Sequence, residues 1–338
     1  MCTWIRRIVL AVLALFMLSV ATGVAYEQWA RRSAARAYPP PGELVEVGGK
    51  LSHLNCTGEG APTVVLESGW SIGGSLDWVR VQPAIAGLTR VCSYDRAGIL
   101  WSEARRGPRD ATRSVEELHA LLRAASEAPP FVIVGHSLGG ALARVFASRF
   151  RDEVVGLVLV DSSHPEQETR VPEHLRASLP PLPSPIGMKV RAATGIYRLR
   201  TNHPGYGLPA EVDEPVWRFG PKSMGALADE AAATADILRQ AGEAGVLNDL
   251  PVVVLTASFH ATSGMSQAAI VEYQDTVLAL HAELAALSTN STHRTIEHSH
   301  HYIQLEAPEA VVAAVRDVLA AVRDGTRLGA EAGSPRLP

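Results

Sequence analysis

The chain has no surplus of basic residues, no internal repeat and little cysteine. Lys and Arg number 31 against 35 Asp and Glu, a formal net charge of −4. No positive field therefore points to nucleic acid as a partner. Three cysteines in 338 residues leave the C-terminal histidine cluster Glu297-His-Ser-His-His without a thiolate neighbour. Glu297 is its one adjacent carboxylate, so a zinc site there lacks a ligand set. Hydrophobic residues make up 47%, enough for a sizeable core in one large domain or a domain with an insertion, with disorder confined to the ends.

One long apolar run exists. Ile8 to Tyr26 is 19 residues without a charge, long enough to span a bilayer. Trp4, Tyr26 and Trp29 flank it as interfacial aromatics do. Residues 1–26 are expected to be a membrane anchor, or a cleaved signal with its small residues at Gly23 and Ala25. The large domain is then extracytoplasmic. Residues 27–42, ending in Pro39-Pro40-Pro41, read as a linker.

From Glu43 the pattern alternates. ELVEV and LSHLN form a hairpin around Gly48-Gly49. TVVLES, TRVCSYD, FVIVG, VVGLVLVD and PVVVLTA are apolar strands, and helices lie between them. Ser114-x-x-Glu117 reads as the capping box of one such helix. Apolar strands alternating with amphipathic helices predict a mostly parallel sheet covered on both faces.

Two G-x-S-x-G stretches compete for a nucleophile, Gly69 to Gly73 and Gly135 to Gly139. Such an elbow needs a strand, one strained residue and an immediate helix. FVIVG and the helix from Leu138 frame Ser137 in this way. Behind Ser71 stand Gly73 and Gly74, poor helix starters. Ser137 is the expected nucleophile. Ser71 is a chance match.

VVLESGW, YDRAG, VGHSLGG, LVLVDSSHPE and SHHYIQLEAPE together resemble the α/β-hydrolase superfamily, especially bacterial members with a cap. The likeness runs from about Glu43 to Arg323. It implies an eight-stranded, mostly parallel sheet with helices on both faces and a helical cap insertion. The segments are then a first core part 43–161, a cap 162–247, a second core part 248–324 and a flexible tail 325–338. It also implies that SGWSIGG is the oxyanion loop, with the backbone N–H groups of Trp70 and Leu138 as donors.

In similar proteins the base lies seven residues before a proline after the last strand. Pro308 then selects His301 over His298 and His300. Many relatives place the acid after the seventh strand, but no Asp or Glu occurs between Asp249 and Glu272. Others place it at the end of the sixth, where Asp161 stands; Glu272 is the alternative. Relatives that open epoxides or remove halides carry Asp at the elbow. A serine there implies cleavage of carboxylic esters, with lactone, thioester, amide and carbon–carbon hydrolysis as neighbours. The resemblance implies a small acyl substrate and no cofactor. A non-catalytic, membrane-tethered binding protein is the alternative from another class.

Asp95 and Arg96 are expected to pair with each other at the tip of their strand. Tyr197, Tyr206 and Trp217 of the insertion receive no role. In the resembling fold, strands two and four are antiparallel neighbours, which brings Cys56 toward Cys92. A disulfide and two buried thiols both remain open.

Overall fold

A computed structural model describes residues 2–107, 109–178, 183–199, 208–259 and 265–329. Tyr206 and most of the tail lie outside the described residues. Eight strands form one sheet: β1 Glu43–Val47, β2 Lys50–Thr57, β3 Thr63–Glu67, β4 Val91–Tyr94, β5 Phe131–His136, β6 Val154–Val160, β7 Val252–Ala257 and β8 Ser291–Ile296. Their spatial order is β1-β2-β4-β3-β5-β6-β7-β8. β1 and β2 make an antiparallel hairpin, β2 runs antiparallel to β4, and every later pairing is parallel. This is the eight-stranded, mostly parallel α/β sheet that the sequence led to.

The strands are apolar throughout because both faces are covered. In β5, Phe131 and Ile133 face one core while Val132 and Val134 face the other. β6 repeats the division, with Leu157 and Leu159 on the first side and Val158 and Val160 on the second. The two-residue period follows from the pleat. Each such side chain contributes about 1.5–3 kcal/mol on burial.

The helices are α1 Cys2–Ala37, α2 Gln82–Ala86, α3 Ala111–Ala124, α4 Leu138–Arg149, α5 Gln167–Arg170, α6 Glu173–Arg176, α7 Pro185–Ala193, α8 Ala210–Glu243, α9 Gln267–Ala286, α10 Ile303–Glu306 and α11 Pro308–Asp324. α3, α4, α8 and α9 supply the first core, α2 and α11 the second. Helices α5 to α8 all fall between β6 and β7 and form the insertion.

Two local readings need correction. Residues 27–37, read as linker, continue α1 without a break. Their alanines favour helix, and Glu27, Ala30 and Ala34 are buried against α7 and α8. The segment after the helix is fastened too: Trp101 Nε1 donates to Tyr38 O at 2.9 Å, and the His53 ring bonds Pro41 O. The second correction concerns α3, which starts three residues before Ser114. Asp110 caps it, accepting from Arg113 N at 3.0 Å. An aspartate gives the first turn the same acceptor that the capping box would have given.

In α1 the apolar run is exposed from Ile8 to Ser19, and near its end Gly23 approaches Thr194 O. The helix is long and apolar enough to cross a membrane, and none of its most apolar stretch is buried.

Candidate active site

Ser137 stands between β5 and α4 with φ 53° and ψ −123°. A non-glycine residue held there is strained, and neighbours must enforce the conformation. The surrounding glycines make this feasible. A Cβ on Gly135 would run into the Gly139 carbonyl, and one on Gly139 would come within 2.5 Å of Glu67 O. Ser137 N donates to Val160 O at 3.0 Å, and Ser163 N donates to Ser137 O at 2.9 Å. The serine is locked from both sides.

His301 follows β8 and extends Nδ1 to within 2.6 Å of Asp161 Oδ2. Asp161 ends β6 with φ 42° and is buried, while His301 is half exposed. The other Asp161 oxygen accepts from Ala257 N at 3.0 Å. A carboxylate can only accept, so Nδ1 donates and Nε2 is left as the basic nitrogen. The other candidates are elsewhere. His300 pairs with Glu306 at 3.0 Å, and Glu272 bonds His174 at 2.9 Å on the surface.

His136 joins the two halves. Its Nε2 donates to His301 O at 2.8 Å, and its ring lies 4.7 Å from that of His301. Burial, with the His301 charge adding to it, lowers the pKa of His136 to about 3. It is therefore a neutral strut.

The segment Ser68–Gly74 touches the elbow. A Cβ on Gly69 would lie 3.0 Å from Ser137 Cβ, so Trp70 begins beside Ser137. Leu138 is the first residue of α4, where an N–H has no partner within the helix. The indole of Trp70 is a wall: its Nε1 donates to Leu227 O of α8 at 2.9 Å. Ser71 is turned to a local task, accepting from Gly73 N at 3.0 Å. The one-turn 3₁₀ helix Gly74–Trp78 comes next.

Asp95 and Arg96 do not pair with each other as expected. Asp95 accepts from Ser75 N at 2.8 Å and bonds His53 Nδ1 at 2.8 Å. Arg96, buried, forms a two-pronged pair with Glu230 of α8 at 2.8 and 2.9 Å and reaches Glu67 at 2.7 Å. It also donates to Ser68 O at 2.5 Å and Gly69 O at 2.7 Å. Sequence reading missed this bracket, because Glu230 sits in a helix whose packing no local pattern discloses. Cys56 and Cys92 are direct partners in the β2–β4 register and are disulfide-bonded, with Cα atoms 4.0 Å apart.

Residues 62–181 match the family model of the alpha/beta hydrolase fold. An AB hydrolase superfamily protein of Gibberella zeae is 27% identical over 294 residues, covering 78% of this chain and 87% of that protein. The uncharacterized protein YqjL of Bacillus subtilis is 32% identical over 123 residues, or 36% of this chain and 48% of YqjL. The chain thus spans about half the length of that relative. A thermophilic esterase from Thermogutta terrifontis, solved with malate bound, superposes with a TM-score of 0.56 at 22% identity. That superposition covers 83% of this chain and 98% of the esterase; at this identity it speaks for the fold alone.

Proposed function

For this member of the α/β-hydrolase superfamily, we propose hydrolysis of small carboxylic esters through an acyl-enzyme on Ser137. The observation that carries the reading is the 2.6 Å contact of His301 Nδ1 with Asp161 Oδ2, beside a serine held at φ 53°. A neutral hydroxyl needs a base to become a nucleophile. His301 Nε2 takes the Ser137 proton as Oγ attacks the acyl carbon. Asp161 fixes the ring and stabilises its charged form. The backbone N–H groups of Trp70 and Leu138 receive the oxyanion. His301 returns the proton to the leaving alcohol. It then activates a water that releases the acid and frees the serine.

The insertion 162–247 serves as a cap. Leu227 and Glu230 of α8 hold Trp70 and Arg96, so this segment roofs the oxyanion loop. The unburied stretch of α1 supports membrane attachment. The Cys56–Cys92 bond suits an extracytoplasmic domain.

A fluorophosphonate probe and a set of nitrophenyl esters of graded acyl length test the reading. Wild type should label once and turn over esters. Ser137→Ala should neither label nor turn over, losing about 10⁴-fold or more in kcat, and Ser71→Ala should do both. Labelling that survives Ser137→Ala would sink the assignment. A folded wild type that neither labels nor hydrolyses any ester would favour a binding protein instead.

A further inference from the structure

Between α1, the insertion and the segment that follows β4 lies a cleft of about 620 Å³ that contains none of the site residues above. That is the size of a small-molecule pocket. Its walls alternate in kind. Trp101, Phe219, Leu44 and Ala226 supply apolar surface. The charged residues that line it among the described residues are six cations and one acid, Asp229. In a chain with a formal net charge of −4, this concentration is out of proportion.

Two of these cations have a close carboxylate partner. Lys189 pairs with Asp229 at 2.5 Å, and Arg31 pairs with Glu27 at 2.7 Å. Lys222 donates to neutral carbonyls, Leu100 O at 2.5 Å and Ser102 O at 2.8 Å. Its burial, with Asp95 opposing and Arg31 adding to the effect, lowers its pKa to about 8. Arg105 holds Val47 O at 2.7 Å, with Glu117 no nearer than 3.9 Å. Arg32 and Arg109 line the cleft without an ion pair among the described residues. Gathered cations on an apolar floor call for an anion with a hydrocarbon part.

The position of the cleft selects the source. Its α1 wall runs from Gln28 to Ala35, which begins two residues after the apolar run ends at Tyr26. At 1.5 Å per residue that wall lies roughly 3–14 Å beyond the run. The polar headgroup layer of a bilayer leaflet is about 5–8 Å thick. A second feature marks the same level. A Cβ on Gly23 would lie 2.5 Å from Thr194 O, and Arg198 pairs with Glu27 at 2.6 Å. These contacts press α7 and the following turn against the end of the apolar run. On α7 and that turn, Ile186, Val190, Ile196 and Leu199 are exposed, Ile186 at 75% and Leu199 at 78%. Such a collar fits the boundary between headgroups and acyl chains.

We propose that this cleft binds the anionic headgroup of a membrane phospholipid, with the glycerol and first acyl carbons against Trp101 and Phe219. The proposal rests on the reading of α1 as a membrane anchor. Arg32 and Arg109 meet the phosphate, and Lys222 closes the inner end.

The full chain, purified in neutral detergent, is offered dioleoyl phosphatidylglycerol or dioleoyl phosphatidylcholine. Retained lipid is counted by native mass spectrometry. One phosphatidylglycerol should be held in preference to phosphatidylcholine. Arg32→Gln with Arg109→Gln should weaken that preference about 30-fold, near fivefold for each cation. Arg151→Gln with Arg239→Gln, on surfaces away from the cleft, should leave it intact. Equal retention of the two lipids, or a preference indifferent to Arg32 and Arg109, overturns the site. Inorganic phosphate that displaces the lipid at millimolar concentration would assign the cleft to a free anion and overturn the lipid proposal. Alkaline carbonate extraction of membranes reads the anchor separately. Release of the chain would overturn the membrane source, while the lipid count still reports on the cleft.

Discussion

The guanidinium of Arg96 grips Glu230 through two bonds of 2.8 and 2.9 Å, across 134 residues of sequence. The same group donates to the carbonyls of Ser68 and Gly69, the two residues before Trp70. One side chain thus ties α8 to the segment proposed as the oxyanion loop. Glu67, whose other oxygen accepts from Tyr94 Oη, completes the burial of the charge. A planar fork with five donors can serve four partners at once. An ammonium cannot.

Arg96→Lys should therefore act on both stability and rate. It leaves Glu67 or Glu230 without its partner in a buried site, at a cost of about 3–5 kcal/mol. It also frees the loop, and a shift of about 1 Å there should lower kcat on the order of 10²-fold. Denaturant unfolding and ester turnover measure the two effects. A variant with full kcat would show that Arg96 holds the cap alone.

Much of this bracket was beyond the reach of the sequence, for reasons that are physical. The central strands were legible because burial on both faces makes them unbroken apolar runs. The elbow was legible because its glycines are dictated by backbone contact. Glu230 is one acid among several on a long helix, and only its packing distinguishes it. Residues 27–37 carry enough charge to pass for a solvated linker. The surface that buries Glu27 and Ala34 lies in α7 and α8, some 150 residues or more later. Asp161 and Glu272 were separable by the empty loop after β7, yet the partner of His301 depends on strand order, which is a long-range property.

Asp161→Asn should cost on the order of 10³–10⁴ in kcat, since an amide cannot hold the imidazole in the same tautomer and charge state. His301→Ala should cost at least as much. Glu272→Gln should stay near wild type, because Glu272 only bonds His174 at the surface. Steady-state kinetics on one nitrophenyl ester ranks all three. A larger loss for Glu272 than for Asp161 would reassign the acid.

Asp77, in the 3₁₀ turn Gly74–Trp78, gives a pH signature. It is buried, and burial raises its pKa from 3.8 to about 7, against the hydrogen bond from Ser71 and the charge of Arg96. In this window the folded state binds more protons than the unfolded one, so the contribution of Asp77 to stability falls as pH rises from about 4 to 7. Asp77→Asn removes the charge and keeps an acceptor for Ser71. Its stability relative to wild type should rise across that window, to at most ~4 kcal/mol at pH 8. At pH 4 the two should differ little. Urea unfolding at both values checks this, and an unchanging difference would mean that Asp77 titrates normally.

Cys56 and Cys92 supply the last expectation. They face each other across the β2–β4 ladder at the hairpin side of the sheet, 36 residues apart in sequence. Cross-linking them removes loop-closure freedom from the unfolded chain, worth about 3–4 kcal/mol on the chain-entropy model. Cys56 is partly exposed and Cys92 fully buried, so Cys56→Ala is the gentler way to break the bond. That variant should lose most of this stability under non-reducing conditions and little under reducing ones, where wild type has lost the bond as well. Intact mass after alkylation in denaturant gives the direct reading. Of the three cysteines, Cys2 alone should alkylate without reductant, and all three should alkylate with it. Three adducts without reductant would exclude the bond and remove its support for an oxidising compartment.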